Sequence, residues 1–335
     1  MSRVLVTGGA GYVGAMLVPK LLARGRAVTV LDTYYYGREP LDAVRGAAGL
    51  TEVAGDLRDR SAVRRALEGC DAVIHLACIS NDPSFELDPG LAKTINFDAF
   101  EPFVEASKEA GVRRFVFVSS SSVYGVSDAE RVTEDHPLRP LTDYSKYKAL
   151  CEPLALAAQS PAFTATVLRP ATVCGFSTRM RFDLSVNILT SHAVTKRTIT
   201  VFGGTQTRPN IHIDDLTDLY VDILDERAEL VAGETFNAGY QNHTLARLAE
   251  IVKEVVEHEL PQLAPVAIAT TPTDDNRSYR VDSEKIARVL GFRPRRTIED
   301  AVRDLCRAFR VGRFPYALDD KRYYNVRLMK ELAAV

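Results

Sequence analysis

Short apolar runs alternate with segments of helical periodicity through the first half of the chain. Apolar residues recur at helical spacing between the runs, which is the pattern of strands separated by helices. Strands connected in this way pair in parallel through right-handed crossovers. The pattern therefore predicts an α/β fold with a doubly wound parallel sheet. The predicted strands are Arg3–Thr7, Ala27–Leu31, Leu50–Ala54, Ala72–Leu76, Phe115–Ser119 and Thr164–Arg169, and the predicted helices are Tyr12–Arg24, Arg60–Leu67, Ile95–Ala110 and Tyr144–Gln159.

The pattern changes after about Pro170, where turn-rich stretches alternate with helices predicted at Asp214–Leu224, Leu245–His258 and Ser283–Leu290. We expect a smaller C-terminal substrate-binding domain assembled from separate segments. Residues 1–172 with about 209–240 would form the first domain, and residues 173–208 with about 241–335 the second.

Composition excludes several classes of protein. The 335 residues carry a net charge of −2, which gives no reason to expect nucleic acid or an anionic membrane as a partner. The five cysteines show neither metal-ligand nor disulfide spacing, so no metal is expected. Because no signal peptide and no apolar run of bilayer length is found, we expect a cytoplasmic protein.

A glycine-rich turn lies between the first predicted strand and the first predicted helix. Gly8, Gly11 and Gly14 form the pattern G-x-x-G-x-x-G, a variant of the Rossmann dinucleotide fingerprint. Glycine permits the tight turn and lets backbone N–H groups, including those of Tyr12 and Val13, approach a pyrophosphate at the helix N-terminus. The turn therefore predicts a dinucleotide site on a Rossmann-type sheet.

Acidic residues follow the next two strands. Asp32 lies about twenty residues after the glycines, where a carboxylate hydrogen-bonds the adenosine ribose and repels a 2′-phosphate. This position favours NAD over NADP, although Arg38 would soften the preference. Asp56 and Leu57 are expected to meet the adenine; the alternative for Asp56 is a solvated turn residue or a helix N-cap.

Tyr144 and Lys148 lie four positions apart in a predicted helix and therefore share one face. An ordinary tyrosine has a pKa near 10, and a neighbouring ammonium group lowers it by favouring the phenolate. The pair would form a general acid/base suited to a sugar hydroxyl.

With these motifs in place, the chain resembles the extended short-chain dehydrogenase/reductase family, specifically its nucleotide-sugar epimerases and dehydratases. The resemblance runs from Gly8 to about Val302. It implies NAD as the cofactor, a nucleotide-diphosphate sugar as the substrate, and a homodimer paired through the helices Ile95–Ala110 and Tyr144–Gln159. Its landmarks are Thr7–Gly14, Asp56-Leu57, His75-Leu76-Ala77, Ser119–Gly125, Tyr144–Lys148, Arg169–Gly175, Arg208–Asp215 and Arg280–Pro294.

The resemblance also implies catalytic roles. Ser120, four residues before the tyrosine of a V-Y-G segment, would hydrogen-bond the reacting oxygen, while Tyr144 exchanges the proton and Lys148 holds the ribose. Similar 4,6-dehydratases carry an Asp-Glu pair where this chain has Ser121 and Ser122, and hydroxyls cannot replace carboxyl chemistry. We therefore expect an NAD-dependent epimerase. A 4-ketosugar reductase that consumes NAD(P)H is the runner-up, and a non-catalytic NAD-binding scaffold is disfavoured because the triad is retained.

The remaining candidates concern the substrate. Arg208 is expected to bind the nucleotide diphosphate, as a guanidinium fork can, with Arg277 or Arg280 as a second clamp. Segments 79–83 and 180–187 resemble enzymes that act on GDP-linked heptoses and other long-chain sugars. Cys174 replaces the usual tyrosine and would line the sugar site or be a small buried hydrophobe, as would Cys78. Further expected substrate contacts are Ser80, Asn81, Ser121, Arg179 and Arg181, the two arginines alternatively belonging to an exposed lid loop.

Overall fold

The computed structural model describes residues 2–80, 82–274 and 277–332. Seven parallel strands form one large sheet in the order β10-β6-β5-β4-β1-β2-β3. The six predicted strands are confirmed, and β10 is an addition from the second half of the chain. The strands are β1 Arg3–Thr7, β2 Ala27–Asp32, β3 Leu50–Ala54, β4 Ala72–His75, β5 Arg114–Val118, β6 Thr164–Pro170, β7 Thr172–Cys174, β8 Thr198–Phe202, β9 Thr207–His212, β10 Glu234–Ala238, β11 Gln241–Thr244 and β12 Ala267–Thr271.

Helices cover both faces of this sheet. The helices are α1 Gly14–Ala23, α2 Arg60–Leu67, α3 Asp82–Phe85, α4 Pro89–Lys93, α5 Phe100–Glu109, α6 Asp143–Ala157, α7 Ser185–Lys196, α8 Ile213–Asp222, α9 Ala228–Val231, α10 Leu245–Glu259, α11 Glu284–Leu290, α12 Ile298–Arg310 and α13 Asn325–Leu332. The predicted helix Ile95–Ala110 is interrupted, since a π-helical segment, Thr94–Asp98, precedes α5. Short 3₁₀ turns lie at Glu39–Leu41, Ser121–Tyr124, Pro261–Leu263 and Lys321–Tyr323.

Strand β1 explains why the sheet is buried on both sides. Successive strand residues point to opposite faces. Val4 and Val6 pack in a core with α1 and α8, whereas Leu5 packs in a second core with α2, α5 and α6. In the sheet, β1 lies between β2 and β4. Strands β2 and β3 follow on one side of it, and β4, β5 and β6 follow on the other. This reversal of strand order is where open α/β sheets bind ligands, at the carboxyl ends of the strands.

Two smaller sheets lie in the second half of the chain. One contains β11, β9 and β7, and the other pairs β12 with β8. Helices α7, α10 and α12 pack together around a third apolar core. The two-domain division stated above stays a proposal.

No helix within the described ranges combines the length and apolar character that crossing a bilayer requires.

His75, the last residue of β4, is buried among aromatic rings. Its Nδ1 lies 2.8 Å from the Thr7 hydroxyl, and the rings of Phe100, Phe103 and Phe117 surround it. Burial, followed by the charge of Lys148, lowers the pKa of His75 from 6.5 to about 3. The folded protein therefore keeps His75 neutral under conditions in which the unfolded chain protonates it.

This difference predicts a pH-dependent loss of stability. The contribution of His75 is fully present above pH 6.5 and is lost as the pH falls toward 3, because only the unfolded state takes up the proton. Relative to His75→Asn, the native protein should lose roughly 2.7 kcal/mol of unfolding free energy between neutral pH and about pH 4.5. Urea denaturation at both pH values measures it. His258, whose side chain is 84% exposed, is the matched control, and His258→Asn should leave the pH dependence unchanged. Equal pH dependence in the native protein and His75→Asn would contradict the assignment.

Candidate active site

A cavity of about 680 Å³ opens at the carboxyl ends of the central strands. It is bordered on one side by the glycine turn and on the other by segments from the second half of the chain. The structure brings together in its wall all of the predicted cofactor-binding and catalytic residues: Gly8, Gly11, Tyr12, Val13, Gly14, Asp32, Asp56, Leu57, Leu76, Ala77, Ser120, Tyr144 and Lys148.

The glycine turn is built for close approach. A Cβ atom on Gly14 would lie 2.5 Å from the carbonyl oxygen of Gly8, and Gly8 itself has a φ of +71° against the backbone of Ala77. Helix α1 follows its N-cap residue, Val13. No side-chain hydrogen bond caps the helix, and its first turn contains no acidic residue. No side chain therefore caps this helix N-terminus, and a helix N-terminus favours an anion, although the N–H groups of Ala15 and Met16 donate to the carbonyls of Gly11 and Val13. These features fit the pyrophosphate of NAD.

Asp32 ties the turn to strand β2. Its carboxylate accepts hydrogen bonds from the N–H groups of Ala10, at 2.9 Å, and Tyr34, at 2.7 Å. Burial raises the pKa of Asp32 above its usual value, against the opposing effect of these two bonds. A carboxylate has about four acceptor positions, so the same group can also accept from the ribose hydroxyls.

Asp56 lies on the cavity wall but is not free. Arg58 donates to it from the backbone at 2.8 Å and from Nε at 2.9 Å. The N-cap of α2 is Asp59 instead, whose side chain accepts from the N–H of Ser61. The N-cap alternative for Asp56 is therefore wrong, and the expected contact with adenine stays a prediction.

Ser120 stands where β5 has ended and the 3₁₀ turn begins. Its Oγ accepts from the N–H of Ser122 at 3.1 Å and lies 2.9 Å from the Ser122 hydroxyl. The hydroxyl of Ser121 is 3.2 Å from that of Tyr279, a cavity residue that the sequence did not indicate. Hydroxyls, not carboxylates, thus occupy this corner of the cavity.

Helix α6 presents Tyr144 and Lys148 to the same cavity. The helix begins with a capping box between Thr142 and Ser145, which fixes the first turn on which Tyr144 lies. Lys148 is 5% exposed, and its Nζ donates to the Val118 carbonyl at 2.6 Å. An ammonium group has three donors, so two others are available to a ribose.

A buried polar network lies beneath these residues and was not predicted. The Glu152 carboxylate accepts from Arg169 Nη2 at 2.6 Å and from the Ser119 hydroxyl at 2.5 Å. Arg169 also donates to the Tyr124 hydroxyl at 2.7 Å, which in turn donates to the side chain of Asn237. The network joins α6, β6 and β10, and through Tyr124 it also holds the 3₁₀ turn Ser121–Tyr124.

Most of the predicted substrate residues lie in the cavity wall. Ser80, Ser121, Arg179, Arg181 and Arg208 line the cavity, while Asn81 lies outside the described residues. Their contacts with a substrate stay predictions.

Two of the expected substrate residues, Cys174 and Arg280, are not part of the cavity wall that the described residues form. Cys174 is 1% exposed and packs with Val186 and Leu189 in the third core, not on the cavity wall. Burial raises the pKa of its thiol, and its Sγ contacts a carbonyl oxygen, as a small hydrophobe would. Arg280 has an exposed side chain, and Arg277, the alternative clamp, lines the cavity instead.

Several cavity residues were not predicted. Tyr36 and Asp183 lie close in sequence to the predicted residues Asp32 and Arg181, which could have indicated them. His192 and Asn325 come from α7 and α13 and reach the cavity only through tertiary packing, so a local motif could not have identified them.

The fold and the site together define an enzyme that binds NAD on a Rossmann-type sheet. The family model described as "NAD dependent epimerase/dehydratase family" matches residues 4–239, and the chain belongs to that family. A UDP-glucose 4-epimerase of Lactobacillus helveticus is 30% identical over 90% of this chain and 94% of its own. A dTDP-glucose 4,6-dehydratase of Streptomyces griseus is 32% identical over 90% of this chain and 92% of its own.

Solved structures agree in fold and cofactor. DesIV of Streptomyces venezuelae, a dTDP-glucose 4,6-dehydratase with NAD and TYD bound, has a TM-score of 0.82 at 27% identity, covering 93% of this chain and 98% of its own. MoeE5 in complex with UDP-glucose and NAD has a TM-score of 0.80 at 28% identity, and the match covers 93% of this chain and 99% of MoeE5. NAD is therefore the cofactor, and the extended short-chain dehydrogenase/reductase resemblance is confirmed.

Proposed function

We propose that the protein is an NAD-dependent epimerase of a nucleotide-diphosphate sugar. The observation that carries the proposal is the shared cavity of the glycine turn, Ser120, Tyr144 and Lys148. When bound between the glycine turn and Lys148, NAD would supply reversible hydride transfer, so epimerisation would need no net reductant.

The chain's own residues would handle the proton and the orientation of the sugar. Tyr144 takes the proton from a sugar hydroxyl and gives it back, which requires the phenolate for part of the cycle. The positive charge of Lys148, on the same helix face, favours that phenolate. Ser120 donates its hydroxyl hydrogen to the reacting oxygen and so fixes which oxygen meets Tyr144.

The acidic residues of the cavity support epimerisation over dehydration. The 4,6-dehydratases that this chain resembles carry a carboxyl pair for the elimination of water, and this chain has serines at positions 121–122 instead. In the described part of the wall the carboxylates are Asp32, Asp56 and Asp183. The last is paired with Arg181, at 2.9 and 3.1 Å. Although burial opposes it, that guanidinium keeps the pKa of Asp183 below its usual value, so Asp183 is a poor proton donor.

Cofactor release and a substrate panel test the proposal. The purified protein is denatured, the released nucleotide is identified, and fresh enzyme is then given UDP-, dTDP- and GDP-linked sugars without added reductant. We expect NAD to be released and one sugar to equilibrate with its epimer. The UDP and dTDP members follow the relatives above, and the GDP-linked long-chain sugars follow the resemblance of segments 79–83 and 180–187.

The alternative activities give different results in the same experiment. Turnover only with stoichiometric NADH or NADPH would identify a 4-ketosugar reductase, and a keto-deoxy sugar product would identify a dehydratase. Either result would refute the epimerase. Cofactor binding without turnover of any member would favour the scaffold.

Two further expectations stay proposals. The resemblance implies a homodimer paired through α5 and α6, and Leu150 on α6 is 42% exposed. The mass from light scattering should be twice the 36.9 kDa of the chain. The cytoplasmic location expected from the sequence is the other proposal.

A further inference from the structure

The C-terminal helix α13 returns to the cavity, although it lies far beyond the family match at residues 4–239. Asn325, Val326 and Met329 contribute to the cavity wall. Met329 also packs in a small apolar cluster with Ile79 and Phe85, on the segment that follows β4. The C-terminal helix is thereby fixed against the loop that carries Ser80.

Asn325 connects three chain segments through one side chain. It is 2% exposed, its Oδ1 accepts from Arg179 Nη2, and its Nδ2 donates to Ser80 Oγ at 3.1 Å. Its backbone N–H donates to Asp183 at 3.3 Å. The oxygen and the nitrogen of the carboxamide each make one of these bonds, which fixes the orientation of the Asn325 side chain. Its role is to hold Arg179 and Ser80 in place.

The hydrogen bonds that Ser80 accepts determine whether its hydroxyl can still act as a donor or as an acceptor toward a ligand. The oxygen accepts from Asn325 and, at 3.1 Å, from Arg181 Nη1. A hydroxyl oxygen has two acceptor positions and one hydrogen to donate. With both acceptor positions filled, Ser80 is left as a hydrogen-bond donor on the cavity wall.

Arg179 supplies a second unsatisfied donor. Its side chain is 4% exposed and stacks on the ring of Tyr36, with the guanidinium carbon 3.9 Å from the ring centre. Its Nε is buried and, among the residues that the structure describes, has no hydrogen-bond partner. Burial, followed by the like charge of Arg181, lowers the pKa of Arg179 to about 10. An unpaired buried donor on a cation is costly unless an anion completes it.

We propose that Asn325 is a positioning residue that holds Arg179 Nε and the Ser80 hydroxyl as a donor pair for a diphosphate group. Two ligands of this enzyme class carry that chemistry, the pyrophosphate of NAD and the diphosphate of a sugar nucleotide. Binding of the NAD pyrophosphate rests only on the cofactor of the family, whereas binding of a sugar-nucleotide diphosphate rests on the proposed function. The C-terminal segment is thus part of the ligand site, and binding of a diphosphate depends on it.

The test measures binding, so that it does not depend on turnover. The full-length protein and Asn325→Ala are titrated with NADH, with UDP, dTDP and GDP, and with adenosine and uridine, which lack phosphate. We expect Kd to rise about tenfold or more for NADH or for the nucleoside diphosphates, the size of a hydrogen bond to a charged group. Adenosine and uridine should bind equally well to both proteins. The ligand class that weakens identifies the source of the diphosphate.

Two further variants separate positioning from a general structural effect. Leu328→Ala removes a buried apolar side chain from the same helix, away from the cavity wall, and should change Kd less than twofold. Arg179→Met should reproduce much of the loss, and the double variant with Asn325→Ala should lose less than the sum of the two single losses, since the second substitution then affects Ser80 alone. The proposal is overturned if no Kd changes, if the nucleosides weaken equally, if Leu328→Ala matches Asn325→Ala, or if the two losses add fully.

Discussion

Tyr144→Phe is expected to lower kcat by roughly 10²- to 10⁴-fold, the usual contribution of general acid–base catalysis. Phenylalanine keeps the ring on the cavity wall and removes only the oxygen that exchanges the proton. The ammonium group of Lys148 keeps its hydrogen bond to the Val118 carbonyl. The Kd for NADH should therefore stay within about twofold, and this split between turnover and binding identifies a proton-transfer role.

Tyr147→Phe is the matched control for that substitution. Tyr147 lies on the same helix, but its ring stacks on that of Phe85, contacts that of Phe97, and is not part of the cavity wall. Removing its hydroxyl should leave both kcat and Kd unchanged. Tyr144→Phe with full turnover, or an equal loss in both variants, would refute the assignment of Tyr144 as the acid/base.

The cofactor half of the site could be predicted because its signals are local. Gly8, Gly14 and Asp32 follow directly from strands that the hydrophobic pattern locates. The carboxyl ends of parallel strands meet at one edge, so residues close behind those ends must converge. Tyr144 and Lys148 share a face for an equally local reason, their spacing on one helix.

The substrate half could be predicted only in part, because it depends on contacts between distant segments. Strand β10 joins the large sheet from the second half of the chain, and Asn325 reaches Ser80 across 245 positions of sequence. For Cys174 the sequence left two alternatives, a sugar contact and a small buried hydrophobe. Its packing in the third core supports the second, and that packing depends on distant segments.

Glu152→Gln is expected to lower the free energy of unfolding by about 3–5 kcal/mol, the cost of breaking a buried ion pair from one side. Glutamine has nearly the same shape but leaves the buried charge of Arg169 uncompensated. The two side chains of the pair are only 4% and 7% exposed, so water cannot replace the lost partner. Urea denaturation of the full-length protein measures the loss.

Two comparisons establish whether the uncompensated charge is the cause. Glu105→Gln breaks an exposed pair with Lys108 and should cost no more than about 1 kcal/mol. The double variant Glu152→Leu with Arg169→Met removes both charges and should recover at least half of the loss, because apolar residues of similar size can replace a buried pair at little cost. A loss in Glu152→Gln no larger than that in Glu105→Gln would show that the pair contributes little. A double variant less stable than Glu152→Gln would assign the stabilisation to the bonds of Arg169 with Tyr124 and the Glu134 carbonyl.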